Sequence, residues 1–209
     1  MNANDASAVP QSQRDALRQD LRSWRRAVPP AERIAAAQAL AAQLLTLPFA
    51  PSQGFVAGYW ASDGEIALHA WQLGLPPNCR YCLPVLGADR QLRFAPWRVG
   101  EALVANRFGI PEPAVDPSLL LAPRDMAMIV LPLVGFDGRG QRLGMGGGWY
   151  DRSLQFRLHG HAPPFLVGTA FDGQRIQQPL TAAAWDVPLD AVCTPTQTLL
   201  FTHEEASPA

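Results

Sequence analysis

The residues with the clearest chemical potential are the glycines, arginines and acids between positions 138 and 152. Six of the chain's 17 glycines fall between Gly138 and Gly148. Glycine lets the backbone adopt positive φ and lets amide N–H groups converge on a ligand without an intervening Cβ atom. A helix that begins near Trp149 would direct its positive end at the same place. The stretch therefore predicts an anion site, and phosphate is the anion that fits it best.

The cations available to such a site are all arginines. The 17 basic residues include no lysine, which excludes a Schiff-base lysine, a protein-kinase lysine and the lysine of a P-loop. The glycines are flanked by two cations, Arg142 and Arg152, and by the carboxylate of Asp151, with Tyr150 beside it. Two cations and a carboxylate are the set that a magnesium nucleotide requires. The residues alone leave two interpretations open, a phosphate site and a flexible turn.

Four acids are candidates for a metal or substrate site. Asp151 falls in the first turn of a predicted helix, where the helix dipole alone also favours a carboxylate. As a metal ligand it would need a second carboxylate, and Asp186 or Asp190 could supply one. Glu65 follows a predicted strand and turn, so it can face the same crevice. The alternative is that it is simply an acid at a helix N-terminus.

The elements that must position these residues alternate between helix and strand. Apolar residues at helical spacing predict helices over residues 13–28, 31–47, 65 to about 73, and 150 to about 159. Short apolar or alternating segments predict strands at residues 55–60, 80–85, 91–97, 127–131, 165–171, 191–194 and 198–201. The continuous apolar run 127–131 is typical of a central parallel strand.

This alternation predicts an α/β fold, a three-layer α/β/α sandwich with a Rossmann-like, mostly parallel central sheet and helices on both faces. Ligands in such folds bind at the carboxyl ends of the strands, and the loop after Leu131 lies at such an end. Residues 109–113 contain two prolines, so we expect them to be irregular. Most arginines of the first helix are interpreted as a solvated basic face.

The length and net charge of the chain argue against some classes of binding partner. A chain of 209 residues with net charge −1 has no electrostatic footprint for nucleic acid or an anionic membrane. We expect a disordered leader at residues 1–12, a single domain at 13–203 and a flexible tail at 204–209. The longest apolar run, 126–136, is too short to cross a bilayer. A cytoplasmic monomer that acts on small molecules is expected.

Two segments resemble the signature of one known family. Residues 131–137 (LPLVGFD) and 140–152 (GQRLGMGGGWYDR) are similar to the Pro-Gly-x-x-Phe-Asp and Arg-Leu-Gly-x-Gly-x-Gly-Tyr-Tyr-Asp motifs of the 5-formyltetrahydrofolate cyclo-ligases, also called 5,10-methenyltetrahydrofolate synthetases. The resemblance covers nearly the whole chain after residue 12. Supporting matches are found at residues 14–18, at Tyr59 with Glu65, at residues 108–113, and at Asp186 followed by Asp190.

The resemblance implies an enzyme that uses ATP and Mg²⁺ to cyclise 5-formyltetrahydrofolate to 5,10-methenyltetrahydrofolate through a phosphorylated formyl intermediate. It implies catalytic roles for Arg142 and Asp151, and Mg²⁺ binding by Asp151 and Asp186. The residues implied to bind ATP are Arg14, Arg18, Arg142, Leu143, Gly144, Met145, Gly146, Gly147, Gly148, Trp149 and Tyr150. The residues implied to contact the folate are Tyr59, Glu65, Met145, Gly146, Gly147, Gly148 and Trp149.

Three positions depart from the family pattern. Arg14 stands where the family usually has lysine, so a point charge becomes a planar fork with a different reach. Trp149 replaces the first tyrosine of a pair, and Met145 occupies a position that is basic in some members. Two other functions stay open: a non-catalytic relative that binds folate or nucleotide, and a phosphosugar isomerase or acyl-CoA transferase on a similar fold.

Overall fold

The computed structural model describes residues 11–202. The expected leader and tail therefore lie outside the described residues, except that Gln11 and Ser12 already belong to the first helix. In this range the helices are α1 (Gln11–Ala27), α2 (Pro30–Leu45), α3 (His69–Gly74) and α4 (Trp149–Leu154). The strands are β1 (Gly54–Ala57), β2 (Cys79–Leu86), β3 (Leu92–Pro96), β4 (Leu103–Ala105), β5 (Pro111–Pro113), β6 (Met126–Pro132), β7 (Gly135–Phe136), β8 (Arg142–Leu143), β9 (Phe165–Thr169), β10 (Ala191–Cys193) and β11 (Thr198–Leu200). Short 3-10 helices cover Pro117–Leu119, Pro123–Asp125, Gln155–Leu158 and Asp172–Gln174.

Seven strands form the central sheet in the order β11-β10-β9-β6-β1-β2-β3. The five inner strands pair in parallel, and the two edge strands, β3 and β11, are antiparallel to their neighbours. The apolar run predicted as the central strand is β6, and it lies in the middle of the order. The predicted mostly parallel sheet is confirmed.

Side chains of the sheet alternate between two apolar layers. Val56 points into a cluster with Leu40 of α2 and Trp71 of α3. Its neighbour Ala57 points into a second cluster that contains Leu154 of α4. Because successive residues of a strand face opposite sides, one strand contributes to both layers. The sheet is therefore covered on both faces, as the three-layer prediction requires.

Residues 111–113 form a strand, contrary to the prediction that residues 109–113 are irregular throughout. Pro111–Pro113 pairs antiparallel with Leu103–Ala105 as a two-stranded hairpin. The backbone N–H of Asn106 donates to the carbonyl of Ile110 at 2.9 Å, and Val104 faces Glu112. Hydrogen-bonded pairs alternate along an antiparallel ladder, so both prolines occupy positions where the strand needs no N–H donor.

Most arginines of α1 do not form the solvated basic face that the sequence predicts. Arg14 and Arg25 are 8% and 1% exposed, and Arg18 and Arg22 are half-buried. These four residues lie on the face of α1 that packs against the body of the protein, where Leu17 and Leu21 also make their contacts. Backbone carbonyls from distant segments accept the guanidinium N–H groups, so the charges can be buried.

No helix within residues 11–202 has the length and apolar character needed to cross a membrane.

Candidate active site

The glycine-rich stretch forms two loops rather than the single loop that the sequence predicts. β7 and β8 pair as a hairpin, so Gly138 and Gly140 lie in its turn. The remaining four glycines lie in the segment 144–148, which connects β8 to α4. The division arises because Leu143 is fully buried with Val134 and draws the middle of the stretch into the core.

The 144–148 loop keeps its backbone open to a ligand. Gly146 and Gly148 have φ of 87° and 63°, values that disfavour any side chain with a Cβ atom. Gly148 is the residue from which α4 begins. Residues 145–147 are exposed, and Met145 is 53% exposed. The loop therefore presents main-chain groups at the start of a short helix.

Two arginines of α1 donate to backbone carbonyls of distant segments, and Arg18 does so at the loop itself. Nε of Arg18 donates to the carbonyl of Gly144 at 2.9 Å, which fixes its guanidinium beside the loop. Arg14 donates from Nη1 to the carbonyl of Thr181 at 2.9 Å, and its buried Nε has no hydrogen-bond partner among the described residues. A buried donor without a partner is costly, so a bound acceptor would stabilise Arg14.

Arg142 is the cation at the entry of the loop. Its guanidinium, 9% exposed, donates to the carboxylate of Asp151 and to the carbonyl of Val187. Burial lowers the pKa of Arg142 below its usual value, while the charges of Asp151 and Asp186 act in the opposite direction. Sequence positions 142, 151 and 186 thus converge in space, as the predicted site requires.

The two acids considered as metal ligands, Asp151 and Asp186, lie in segments that contact each other. Oδ1 of Asp151 accepts the Val187 N–H at 3.2 Å, so the residue after Asp186 lies against Asp151. Asp186 uses Oδ2 to accept the N–H of Ala183 at 2.9 Å. Within residues 11–202 no group of three or more His, Cys, Asp or Glu side chains could hold a metal. Mg²⁺ usually binds one or two carboxylates together with waters and substrate phosphates, so this pair is compatible with Mg²⁺ bound together with a nucleotide.

Asp190, the other acid considered from the sequence, is engaged elsewhere. Both of its carboxylate oxygens lie 3.1 Å from Nη2 of Arg157. Oδ2 also accepts the N–H of Leu166 at 2.6 Å. This buried pair ties the start of β10 to β9 and to the helical segment after α4. Asp186 is therefore the better partner for Asp151.

Glu65 lies in a turn and not in a helix, contrary to the prediction for residues 65–73. Asp63 and Gly64 both have positive φ, and α3 begins only at His69. Oε2 of Glu65 accepts the N–H of Ser62 at 2.9 Å. Burial raises the pKa of Glu65, although the Ser62 N–H and the Arg25 guanidinium oppose this shift.

Tyr150 interacts electrostatically with Glu65. Burial raises the pKa of the Tyr150 hydroxyl, and the nearby charge of Glu65 raises it further. Since Tyr150 is the second residue of α4, Glu65 lies near the start of the helix that leaves the loop.

Aromatic residues near the site fall into two groups, one that lines a cavity and one formed by Trp149 and Phe108. Tyr59, Trp60 and Trp97 line a small cavity between β1, β2 and α3, and Trp60 packs edge-on against Trp97 at 5.8 Å. The Tyr59 hydroxyl donates to the Ile66 carbonyl at 2.8 Å and lies 3.0 Å from Thr169 Oγ1. The hydroxyl of Tyr59 is therefore held within the core, and only its ring can line the cavity.

Sequence reasoning missed two residues that hold the site in place. Asp137, 2% exposed, accepts N–H groups from Arg139 and Gln141 at 2.9 Å and from Leu180 at 2.8 Å. It fixes the β7–β8 turn and the segment that leads to Asp186. The signal was available, because an aspartate directly before a glycine is typical of a turn that the side chain stabilises.

Arg25 is the second residue that sequence reasoning missed. It donates to the Leu133 carbonyl at 3.1 Å, to the Asp63 carbonyl at 3.0 Å and to the Asp63 carboxylate at 2.8 Å. These bonds join α1 to the turn that carries Glu65 and to the end of β6. No local pattern indicates them, because the partners are distant in the sequence.

Comparison with known proteins agrees with this geometry. The sequence profile of the 5-formyltetrahydrofolate cyclo-ligase family matches residues 10–195. The chain belongs to this family.

Relatives within the cyclo-ligase family cover most of the chain. The 5-formyltetrahydrofolate cyclo-ligase of Escherichia coli K12 is 36% identical over 184 residues, which are 85% of this chain and 97% of that protein. The Haemophilus influenzae enzyme of the same name is 37% identical over 137 residues, which are 64% of this chain and 72% of that enzyme. The solved structure of Aquifex aeolicus 5,10-methenyltetrahydrofolate synthetase has a TM-score of 0.75 and 25% identity, covering 94% of this chain and all of that one.

These findings confirm the family resemblance and the expectation that the chain is an enzyme of the cyclo-ligase family. The isomerase and transferase alternatives rested on architecture alone, and they lose their basis once the family is established.

Proposed function

We propose that this chain cyclises 5-formyltetrahydrofolate to 5,10-methenyltetrahydrofolate with ATP and Mg²⁺, releasing ADP and phosphate. The observation that carries the proposal is the placement of two cations about the 144–148 loop. Arg18 is bonded to the loop carbonyl of Gly144, and Arg142 precedes the loop beside Asp151. A chain without lysine needs arginines at this place if the loop is to bind a triphosphate.

The reaction proceeds in two steps in this proposal. The formyl oxygen on N5 attacks the γ-phosphorus of ATP, and the bond from that phosphorus to the bridging oxygen breaks to release ADP. N10 then attacks the carbon of the resulting imidate phosphate. The carbon–oxygen bond breaks, phosphate leaves, and N10 loses its proton.

The residues of the chain bind and orient the reactants. Arg142 and the loop amides stabilise the charge on the transferring phosphoryl group, while Arg14 and Arg18 bind the triphosphate. Asp151 and Asp186 hold Mg²⁺, which neutralises phosphate charge when it is bound. Glu65 and residues 145–149 contact the folate. Because the chemistry depends on positioning, no dedicated general base is required.

Three further expectations remain part of the proposal. Residues 13–203 act as one catalytic domain, the protein works as a monomer, and it is cytoplasmic. Sedimentation of the purified protein tests the monomer directly, because a dimer would double the measured mass.

The decisive experiment mixes the purified protein with 5-formyltetrahydrofolate, ATP and Mg²⁺. We expect the near-ultraviolet absorbance of the methenyl product to rise in step with the release of ADP, and to require all three components. Absence of both signals across the pH range would overturn the proposal. Folate binding of equal strength with and without Mg-ATP, and without ADP, would instead indicate the non-catalytic relative.

A further inference from the structure

The turn at residues 62–65 packs directly on helix α1. A Cβ atom on Gly64 would lie 3.0 Å from the carbonyl oxygen of Arg25 and 3.1 Å from backbone atoms of Arg26. Gly64 also has φ of 81°, so both its conformation and its contact with the helix disfavour a side chain. The position of Glu65, the next residue, is therefore fixed relative to α1.

The two carboxylate oxygens of Glu65 have different surroundings. Oε2 accepts the N–H of Ser62 at 2.9 Å and its hydroxyl at 3.4 Å, which closes the turn. Oε1 accepts no hydrogen bond within residues 11–202, and Nη2 of Arg25 lies 3.8 Å from it, beyond hydrogen-bond distance. Oε1 is therefore the oxygen that remains for a ligand.

Arg25 is held rigidly beside this oxygen. Its guanidinium, 1% exposed, donates to the carbonyls of Leu133 and Asp63 at 3.1 and 3.0 Å. Nη2, which donates to the Asp63 carboxylate at 2.8 Å, is also the nitrogen nearer to Glu65 in their ion pair. An opposite charge at this distance, in a buried place, stabilises an ionised carboxylate.

Other charged and titratable groups also act on Glu65. Burial raises its pKa above the usual 4.5, and the charge of Asp63 in the same turn acts in the same direction. Arg22 of α1 attracts the carboxylate. Burial raises the pKa of the hydroxyls of Tyr59, after β1, and Tyr150, on α4, and the charge of Glu65 raises both further. The ionisation of Glu65 therefore depends on a balance of neighbouring charges.

We propose that Arg25 is a positioning residue for folate binding, which keeps the Glu65 carboxylate ionised and in place to accept N–H groups of the tetrahydropteridine ring. This inference rests on the proposed function, in which Glu65 contacts the folate. An ionised carboxylate is purely an acceptor, whereas a protonated one carries a hydroxyl that competes with those N–H groups. Since Arg25 is 1% exposed, it acts through Glu65 and not by contact with the substrate.

The pH dependence of folate binding tests this role. Calorimetry without ATP gives the dissociation constant of 5-formyltetrahydrofolate from about pH 5.5 to about pH 8.5 for the wild type, Arg25→Gln, Arg25→Lys and Arg26→Gln. Dividing each value by that of the wild type cancels the titration of the substrate itself. Arg26→Gln is the matched control, because Arg26 contacts the same Asp63 at 3.4 Å but is 52% exposed.

Arg25→Gln removes the positive charge, so the pKa of Glu65 rises further and folate binding weakens at a higher pH than in the wild type. We expect its ratio to fall about three- to tenfold as the pH is raised, which corresponds to a shift of about one pH unit. Arg25→Lys keeps the charge without the planar fork, so it should lose stability but show a constant ratio. The ratio for Arg26→Gln should also be constant.

Asp63→Asn provides a second test that does not depend on whether Arg25→Gln folds. It removes a negative charge beside Glu65 and leaves an oxygen for Arg25. Folate binding should therefore become tighter than in the wild type at low pH, a change opposite in sign to that of Arg25→Gln. A purely structural role for the turn would weaken binding equally at every pH.

A ratio for folded Arg25→Gln that does not change with pH would overturn the inference, as would uniformly weaker binding by Asp63→Asn. The same pH dependence in Arg25→Lys or Arg26→Gln would also overturn it. A wild type that binds no folate at any pH would refute the proposed function together with this inference. A wild type that gives the expected ratios but forms no methenyl product would refute the proposed turnover and leave the role of Arg25 standing.

Discussion

Arg142 is the residue on which the proposed catalysis depends most directly. It is buried between Asp151 and the Val187 carbonyl, at the entry of the glycine loop. Loss of one donor to a developing charge costs about 3–4 kcal/mol, so Arg142→Ala should lower kcat by roughly 10²–10³-fold. The measurement is the steady-state rate of methenyl product formation.

The control for Arg142→Ala must distinguish a loss of catalysis from a loss of folding. Removal of one partner of a buried pair is destabilising by about 3–5 kcal/mol, so the variant is assayed where circular dichroism shows it folded. Arg139→Ala, in the exposed turn of the same hairpin, should keep kcat near the wild-type value. Near-normal turnover in folded Arg142→Ala would contradict the assignment.

Glu65 makes the stability of the protein depend on pH. Burial raises its pKa above the usual 4.5, so the folded state binds this proton more tightly than the unfolded state. Its contribution to stability is complete below the unfolded pKa and is lost as the pH rises through the folded pKa. Glu65→Gln removes the titration but keeps an oxygen for the Ser62 N–H.

We expect the free energy of unfolding of the wild type, relative to Glu65→Gln, to fall as the pH is raised from about 4 to about 8. Urea denaturation at constant ionic strength gives this difference. A difference that does not change with pH would show that burial does not raise the pKa of Glu65.

At the scale of elements, a buried arginine bonds α1 to the end of the central strand β6. Arg25 is 1% exposed and bonds to Asp63 and to the end of β6. Arg26 contacts the same Asp63 at 3.4 Å but is 52% exposed. The two neighbours thus share a partner and differ in burial.

Arg25→Ala should lower the free energy of unfolding by about 3–5 kcal/mol, because buried acceptors lose their donor. Arg26→Ala should cost less than about 1 kcal/mol, as is usual for an exposed pair. Urea denaturation of both variants tests the contrast. Equal losses would mean that burial of Arg25 does not determine how α1 is held.

The pairing of β8 with β7 also belongs to the scale of elements, because it divides the glycine-rich stretch into two loops. A buried Leu143 places β8 between two loops, and the 144–148 loop meets α1 through Arg18 and leads into α4. The sequence predicts the glycine density and the helix that follows. It does not report that a two-residue strand separates the glycines, since such a short strand depends on its pairing partner.

At the scale of the whole molecule, the proposed nucleotide site exists only in the folded chain. Its residues come from α1, β8, α4 and the segment around Asp186, so unfolding separates them. A ligand that binds only the folded state stabilises it by about 2.7 kcal/mol at a 100-fold excess over its dissociation constant. For a chain of this size the melting temperature should rise by roughly 5–10 °C with Mg-ATP.

Asp151→Asn should lose most of this rise, because it removes the charge of a proposed Mg²⁺ ligand. Asp89→Asn is the control, since Asp89 is an exposed acid in the β2–β3 turn, where it pairs with Arg93. Calorimetry with and without Mg-ATP gives the shift for each variant. Equal shifts in all three proteins would exclude Asp151 from the nucleotide site.

The sequence by itself determined the family, the strands of the central sheet and its mostly parallel character. Each follows from local information: the motif residues lie within short segments, and apolar periodicity reports which face of an element is buried. The positions of Arg142, Asp151 and Asp186 at one place could be inferred only through the resemblance, because spacing along a chain does not give distance.

Only the tertiary structure decided the roles of Arg25 and Asp137. Arg25 bonds to Leu133, 108 residues away, and so becomes buried on a helix whose arginines suggested a solvated face. Asp137 accepts the N–H of Leu180, 43 residues away, and so fixes the segment that leads to Asp186. In each case a polar side chain is satisfied by a partner from a distant segment, and that contact has no local signature.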